Sequence, residues 1–165
     1  MCGIAGLIHR GKSSDIGSEL TAMLQSLKHR GPDSTGFALY GNPREGEYIL
    51  RFKVAEQEDM RKGFKIHDQV KERRAEVDRR LGELGARKVQ DDDATEYAYR
   101  YLISYDGDMK KLADYVEDVE GAEILSIGNA LELVKDLGDA TTVSGQYDLG
   151  TFQGTHAIGH TRMAT

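Results

Sequence analysis

The sequence predicts an α+β fold, and three observations support this. An apolar run at residues 3–9 is typical of a buried strand. Apolar residues then recur at helical spacing between 16 and 27, and two strand-like runs follow at 36–40 and 47–54. Strands and helices are therefore both expected in this chain of 165 residues, a length sufficient to bury a substantial core.

The first third of the chain is predicted to run strand, helix, strand, strand. A cluster of N-cap residues at 13–15 precedes the helix, and the glycine-proline turn at 31–33 ends it. The turn-rich segment 41–46 separates the two later strands, which we expect to pair with each other.

The middle of the chain is highly charged, since residues 56–93 hold 11 acidic and 10 basic side chains. Within it lies a thin apolar stripe at helical spacing: Ile66, Val70, Val77, Leu81 and Leu84. Glu76 with Arg80, and Glu83 with Arg87, form i,i+4 pairs on this helix. It is either a partner-binding helix or a solvated helix lying on the domain by one narrow face. The charge pattern favours the second.

Residues 56–140 are predicted to form a charged insert of mixed α/β character in a domain made of 1–55 and 141–165. After the charged helix, the expected order is a strand at 97–105, a helix at 108–118, a strand at 122–127 and a helix at 130–137.

Composition excludes several classes of protein. With 22 Lys plus Arg against 28 Asp plus Glu, the net charge is −6, and no basic cluster carries interleaved aromatics, so nucleic-acid binding is not expected. No apolar run approaches the roughly 18 residues of a membrane span. A single cysteine and a start without a charged signal region predict a cytoplasmic protein.

Cys2 directly precedes the first predicted strand. If Met1 is removed, one residue carries both a thiol and an α-amine, whose ordinary pKa values are about 8.5 and about 8. The amine can then act as general base for its own thiol. The alternative is that Cys2 is only a small apolar residue at the start of a strand. Position alone leaves both interpretations open.

Two further motifs contain candidate binding residues. In HRGPDSTG at 29–36, the glycines indicate a tight loop, and Arg30 either holds a carboxylate or marks an ordinary helix end. In GHTRMAT at 159–165, Arg162 lies in an otherwise small and apolar strand and needs a partner, either a substrate carboxylate or a structural ion pair. His156 and His160 lie four apart on a predicted strand, which does not favour a metal site, and none is predicted.

Taken together and in this order, MCGIAG at 1–6, HRGPDSTG and GHTRMAT resemble the glutaminase domain of class II glutamine amidotransferases. The match covers 1–41 and 154–165 closely. The ending and the large insert look most like the glutamate synthase-like amidotransferase subunits, the kind found in N-methylglutamate synthase. The resemblance implies an N-terminal-nucleophile (Ntn) hydrolase with a four-layer αββα fold.

The resemblance also implies roles for individual residues. Cys2, once it is the first residue, would attack the glutamine side-chain amide and form a thioester, without any cofactor. Arg162 would bind the glutamine α-carboxylate, with Thr165 lining the same pocket. Arg30 and Gly31 would pack beside the nucleophile. Ammonia would pass to a synthase partner. The alternative function is a non-catalytic interaction or regulatory subunit that keeps the fold and binds through the charged insert.

The sequence departs from the family beyond the third motif. The family's oxyanion hole comes from an Asn-Gly pair further on, whereas this chain ends at Thr165 and its Asn129 is followed by Ala130. Loss of one oxyanion donor can slow such a reaction about 10²–10³-fold. We therefore expect only the N-terminal half of the Ntn fold here, incomplete at its C-terminus and completed by another chain or segment.

Overall fold

A computed structural model describes residues 2–162 and shows a mixed α+β chain with two antiparallel four-stranded sheets. The strands are β1 (Gly3–Ile8), β2 (Ser34–Tyr40), β3 (Glu47–Lys53), β4 (Arg87–Asp93), β5 (Ala98–Ser104), β6 (Glu123–Gly128), β7 (Leu131–Leu137) and β8 (His156–Arg162). The α-helices are α1 (Ile16–Ser26), α2 (Lys65–Glu83), α3 (Met109–Glu117) and α4 (Ala140–Gln146). None of these helices has both the length and the apolar character that crossing a membrane requires.

The chain folds as two compact units, which divide after Pro43 and after Asn129. Unit 2 is the continuous segment Arg44–Asn129, and unit 1 is formed by the chain on either side of it. At the divide, the Gly41 amide donates to the Ala130 carbonyl at 2.9 Å, and the Arg44 amide donates to the Asn129 carbonyl at 3.1 Å. The inserted segment thus begins and ends about 11–12 residues earlier than the predicted boundaries at 56 and 140.

The predicted pairing of the second and third strands is wrong. Strand β3 lies in unit 2, where it pairs with β5 and β6, while β2 pairs with β7 and β8 in unit 1. Adjacent strands in sequence are often paired, but here the loop between them is the passage from one unit to the other.

The helix predicted at 130–137 is also wrong, because this segment is strand β7. Its buried side chains alternate strictly, at Glu132, Val134 and Asp136. The Tyr147 hydroxyl donates to the Asp136 carboxylate at 2.5 Å in the interior. Because Glu132 and Asp136 are acidic, the buried positions of this segment do not form the alternating apolar pattern that predicts a strand.

Unit 1 is built on a sheet with the strand order β1-β8-β2-β7. Helix α1 packs on one face of it, and its Leu20 and Leu24 are fully buried. The backbone of β8 runs close beneath them, since a Cβ on Gly159 would lie 2.6 Å from Leu24. Helix α4 packs beside α1, where the Thr21 hydroxyl donates to the Ser144 hydroxyl at 2.9 Å. The helices thus form one layer on one face of this sheet.

Unit 2 holds a second sheet, with the strand order β4-β5-β3-β6, together with α2 and α3. The strands predicted around β5 and β6 and the helix predicted around α3 are confirmed. The α2 stripe is buried at Ile66, Val70, Val77 and Leu81. Glu76 pairs with Arg80 at 2.9 Å as expected. Glu83 pairs instead with Arg79. Its predicted partner, Arg87, is the first residue of strand β4.

Arg74 joins helix α2 to the sheet of unit 2. Its guanidinium lies 4.2 Å from the ring centroid of Tyr99 and donates to the Tyr101 hydroxyl at 2.9 Å. Burial raises the pKa of Tyr101 to about 12. The phenol therefore remains protonated while it accepts this hydrogen bond, and the cation is held over aromatic rings.

Gly17 is needed where α1 begins, because a Cβ there would overlap the carbonyl oxygen of Leu149. We predict that Gly17→Ala lowers the free energy of unfolding by about 1–3 kcal/mol, as overpacking does elsewhere. Gly145→Ala, in the same unit and with no neighbour within 4 Å of the new Cβ, is the matched control. It should raise stability by about 0.5–1 kcal/mol. Urea unfolding of both variants measures this, and equal effects would contradict the close approach.

Candidate functional site

The three motifs converge at one end of the unit 1 sheet, where β1 and β2 begin and β8 ends. The register pairs Gly3 of β1 with Thr161 of β8, and Ser34 of β2 with Arg162. Continuing it by one residue places Cys2 opposite Arg162 on the neighbouring strand. Residues opposite each other in an antiparallel pair have Cβ atoms about 4.5–5.5 Å apart and share one face. Cys2 and Arg162 thus lie at the same end of two neighbouring strands.

The segment after α1 is held against the end of β8. A short 3-10 helix at Lys28–Arg30 ends at Gly31, whose backbone passes directly over Arg162. A Cβ on Gly31 would lie 2.5 Å from the carbonyl carbon of Arg162. The Asp33 amide donates to the Arg162 carbonyl oxygen at 3.1 Å. A glycine is therefore required at position 31, and Arg30 lies next to this contact with an exposed side chain.

The side chain of Arg162 is exposed, and no ion pair or side-chain hydrogen bond joins it to another residue in the range 2–162. The structural ion pair that the sequence left open is thus not formed within this range. An exposed guanidinium beside an exposed thiol can bind a carboxylate through two parallel hydrogen bonds.

Two predicted positions lie outside the described residues. They are Met1, whose removal the proposed chemistry needs, and Thr165, to which the resemblance gives a place in the substrate pocket. Of the remaining site residues, Cys2, Arg30, Gly31 and Arg162 are all brought to the same end of the sheet.

Thr161 is a supporting residue that the sequence reasoning missed. Its side chain is fully buried, and its hydroxyl donates to the Leu27 carbonyl at 3.5 Å, just after α1. A Cβ on Gly3 would lie 2.9 Å from the same hydroxyl oxygen. Thr161 therefore ties the end of β8 to the end of α1, directly beneath the start of β1. A polar residue on the buried side of an apolar strand was the available signal.

The two histidines of β8 have different neighbours. The His160 ring lies over Gly36, where a Cβ would be 3.0 Å from Nε2. The His156 ring is stacked on Tyr40, with ring centroids 4.1 Å apart. In the part of the chain that the structure describes, no three His, Cys, Asp or Glu side chains form a group that could hold a metal ion.

By the alternation of side chains along a strand, Cys2 and Arg162 lie on the sheet face opposite α1, and the residues that the structure describes leave much of this face exposed. Ile4, Ile8 and Ile158 lie on this face and are 71%, 77% and 52% exposed. Large apolar side chains this exposed, side by side on neighbouring strands, are typical of a surface that another structural element covers.

Comparison with known proteins supports the resemblance to glutamine amidotransferases. No protein-family model matches the chain. Over its whole length the chain is 34% identical to a Methanothermobacter thermautotrophicus protein named "Putative glutamine amidotransferase" and 31% identical to the Rhizobium meliloti "Glutamine amidotransferase-like protein GlxB". The names of these two relatives support the assignment of this chain to a glutamine amidotransferase family. The chain covers 52% and 50% of these two glutamine amidotransferase relatives, about half of their length.

The contact between Gly31 and Arg162 provides a test of the site's geometry. We predict that Gly31→Ala lowers the free energy of unfolding by about 1–3 kcal/mol, because the new methyl group must push the loop off the backbone of β8. His29→Ala, two residues away and exposed, should change it by less than about 0.5 kcal/mol. Urea unfolding is the measurement. A Gly31→Ala variant as stable as His29→Ala would show that the loop does not lie against Arg162.

Proposed function

We propose that this chain is the glutaminase part of a class II glutamine amidotransferase, which hydrolyses glutamine to glutamate and ammonia. The observation that carries the proposal is the juxtaposition of Cys2 and Arg162 at one sheet end, with Arg162 unpaired within the described residues. The similarity to glutamine amidotransferase relatives, which extends over the whole chain and about half of each relative, supports it.

The proposed reaction begins after Met1 is removed. The α-amine of Cys2 takes the proton of its own thiol, and the sulfur attacks the side-chain amide carbon of glutamine. The C–N bond then breaks, ammonia leaves with the transferred proton, and a γ-glutamyl thioester remains. Water attacks this thioester, and the C–S bond breaks to give glutamate and the free thiol. No electron is gained or lost in either step.

The remaining residues of the site position the substrate. Arg162 binds the glutamine α-carboxylate, and a planar guanidinium suits this group because both oxygens accept a hydrogen bond at once. The family resemblance assigns Thr165, which lies outside the described residues, to the same pocket. Arg30 and Gly31 hold the loop beside the nucleophile, where Gly31 already lies on the backbone of Arg162.

Unit 1 in this proposal is half of the four-layer αββα fold. Its described residues supply one helix layer and one sheet, and the opposite face of that sheet carries exposed Ile4, Ile8 and Ile158. A second sheet from another segment or chain would cover this face and bring the oxyanion donors. The ammonia would pass to a synthase subunit, as in the glutamate synthase-like group.

Covalent labelling tests the nucleophile. The full-length protein, with loss of Met1 checked by intact mass, should be labelled once by an electrophilic glutamine analogue, and Cys2→Ala should abolish the label. Arg162→Ala should reduce the labelling rate at low analogue concentration about 10- to 100-fold, because a charge-assisted pair is lost. Arg10→Ala, at the far end of β1, is the matched control and should label normally.

Two outcomes of that experiment would overturn the proposal. One is a label that persists in Cys2→Ala. The other is an unreactive Cys2 in a processed, folded protein, which would favour the alternative of a non-catalytic subunit.

The proposal that a second sheet covers the exposed face of the unit 1 sheet has its own test in the full-length protein. Ile4→Asp and Ile158→Asp should each lower the free energy of unfolding by about 2 kcal/mol or more, because a carboxylate would be buried in the contact. Arg10→Asp, an exposed position at the end of the same sheet, should change it by less than about 0.5 kcal/mol. Thermal and urea unfolding measure this. If both isoleucine positions tolerate a charge, nothing packs on that face.

A further inference from the structure

The two faces of the unit 1 sheet carry different side chains near the candidate site. On the face that packs against α1, Thr35 and Thr161 are fully buried. On the opposite face, the β2–β8 register places Ser34 directly across from Arg162, and the β2–β7 register places Leu137 on the other side of Ser34. Opposite residues of antiparallel strands have Cβ atoms about 4.5–5.5 Å apart. Ser34 is thus the β2 neighbour of Arg162 on this face.

The hydroxyl groups on the two faces are used differently. Thr35 donates to the Gly138 carbonyl at 2.8 Å, and Thr161 donates to the Leu27 carbonyl at 3.5 Å. Ser34 is half-buried, and its hydroxyl forms no hydrogen bond with another residue in the range 2–162. A polar group that is partly removed from water and has no protein partner is available to a ligand.

The face that carries Ser34 and Arg162 is free of carboxylates along its strands. By the alternation of side chains, no Asp or Glu of the described strands β1, β2, β7 and β8 lies on it, although the chain has a net charge of −6. It does carry Arg162 and Lys135, and neither of these forms an ion pair with a residue that the structure describes. The ligand that suits Arg162 and Ser34 together therefore carries a carboxylate.

The spacing of the strands matches the length of glutamine. Neighbouring strands lie about 4.8 Å apart, and the register brings Cys2, Arg162 and Ser34 to the same end of three consecutive strands. In extended glutamine, four carbon–carbon bonds of about 1.5 Å separate the side-chain amide carbon from the carboxylate carbon, a distance of about 5 Å. A glutamine whose amide carbon lies at Cys2 therefore holds its α-carboxylate at Arg162, with one oxygen on the side of Ser34.

The ring of His160 bounds this position toward the middle of the sheet. It lies over Gly36, the next residue of β2 on the same face as Ser34, where a Cβ would be 3.0 Å from Nε2. The space above Gly36 is therefore occupied. A carboxylate that contacts both Arg162 and Ser34 lies at the end of the sheet, on the side where Cys2 is.

We propose that the Ser34 hydroxyl is a second donor to the substrate α-carboxylate, beside the guanidinium of Arg162. Two N–H groups of the guanidinium bind one lone pair on each carboxylate oxygen. Each oxygen accepts a further hydrogen bond, and the Ser34 hydroxyl donates one to the oxygen on the side away from Cys2. This inference rests on the proposed glutaminase function and adds a residue to its substrate site.

Steady-state kinetics of the full-length protein, with loss of Met1 checked by intact mass, test this role. Ser34→Ala should raise KM for glutamine about 10-fold, because a hydrogen bond to a charged group is lost, and should change kcat by less than about 2-fold. Ser34→Thr keeps a hydroxyl and should remain within about 3-fold of the unchanged KM. Ser13→Ala, which removes an exposed hydroxyl of the same unit, is the matched control and should have unchanged kinetics.

A substrate without the carboxylate separates a lost contact from a damaged structure. The compound γ-aminobutyramide is glutamine without its α-carboxylate, so the Ser34 hydroxyl has nothing to bind in it. Its kcat/KM should therefore be the same for Ser34→Ala as for the unchanged protein. A variant with a damaged structure would instead hydrolyse both amides more slowly.

Three results would overturn this inference and leave the glutaminase proposal standing, provided that Cys2→Ala abolishes activity in the same experiment. They are a Ser34→Ala variant with the unchanged KM for glutamine, a Ser34→Thr variant that behaves as Ser34→Ala does, and an equal loss of kcat/KM for both amides in Ser34→Ala. A processed, folded protein that hydrolyses no glutamine would overturn the proposed function and this inference together.

Discussion

The antiparallel pairing of β1 with β8 is the constraint on which the candidate site depends. It fixes Gly3 opposite Thr161, and this register brings Cys2 and Arg162 to the same end of two neighbouring strands. A slip of one residue would turn Cys2 toward the helix layer, because side chains alternate between the faces of a strand. Thr161 and Gly3 oppose such a slip, since the buried hydroxyl leaves no room for a side chain at position 3.

Local patterns in the sequence predicted the elements whose buried positions are apolar. Helix α1, strand β5 and helix α3 follow from spacing alone, and the structure has them. Strand β7 could not be found in this way, because Glu132 and Asp136 occupy its buried face. A carboxylate in the interior is tolerated only where a partner such as the Tyr147 hydroxyl meets it, and that partner is known only once the chain is folded.

The site was predictable in its residues but not in its environment. The motifs named Cys2, Gly31 and Arg162, and the structure brings these three together. Whether Arg162 forms an ion pair within the protein depends on which acidic residues lie near it in space. Sequence spacing does not give that information. The close approach of the Gly31 backbone to β8 likewise depends on the path of the loop, which the residue pattern does not predict.

The hydrogen bond between Gly41 and Ala130, where the chain leaves and re-enters unit 1, has a consequence for the changes of length that the fold can tolerate. Tyr40 and Leu131 are partners in the β2–β7 ladder, so the two strands would form an ordinary hairpin if the chain turned there directly. Everything from Arg44 to Asn129 is thus an elaboration of a hairpin loop. Its length can change, or its contents can be exchanged, without altering a single register that holds Cys2 and Arg162 together.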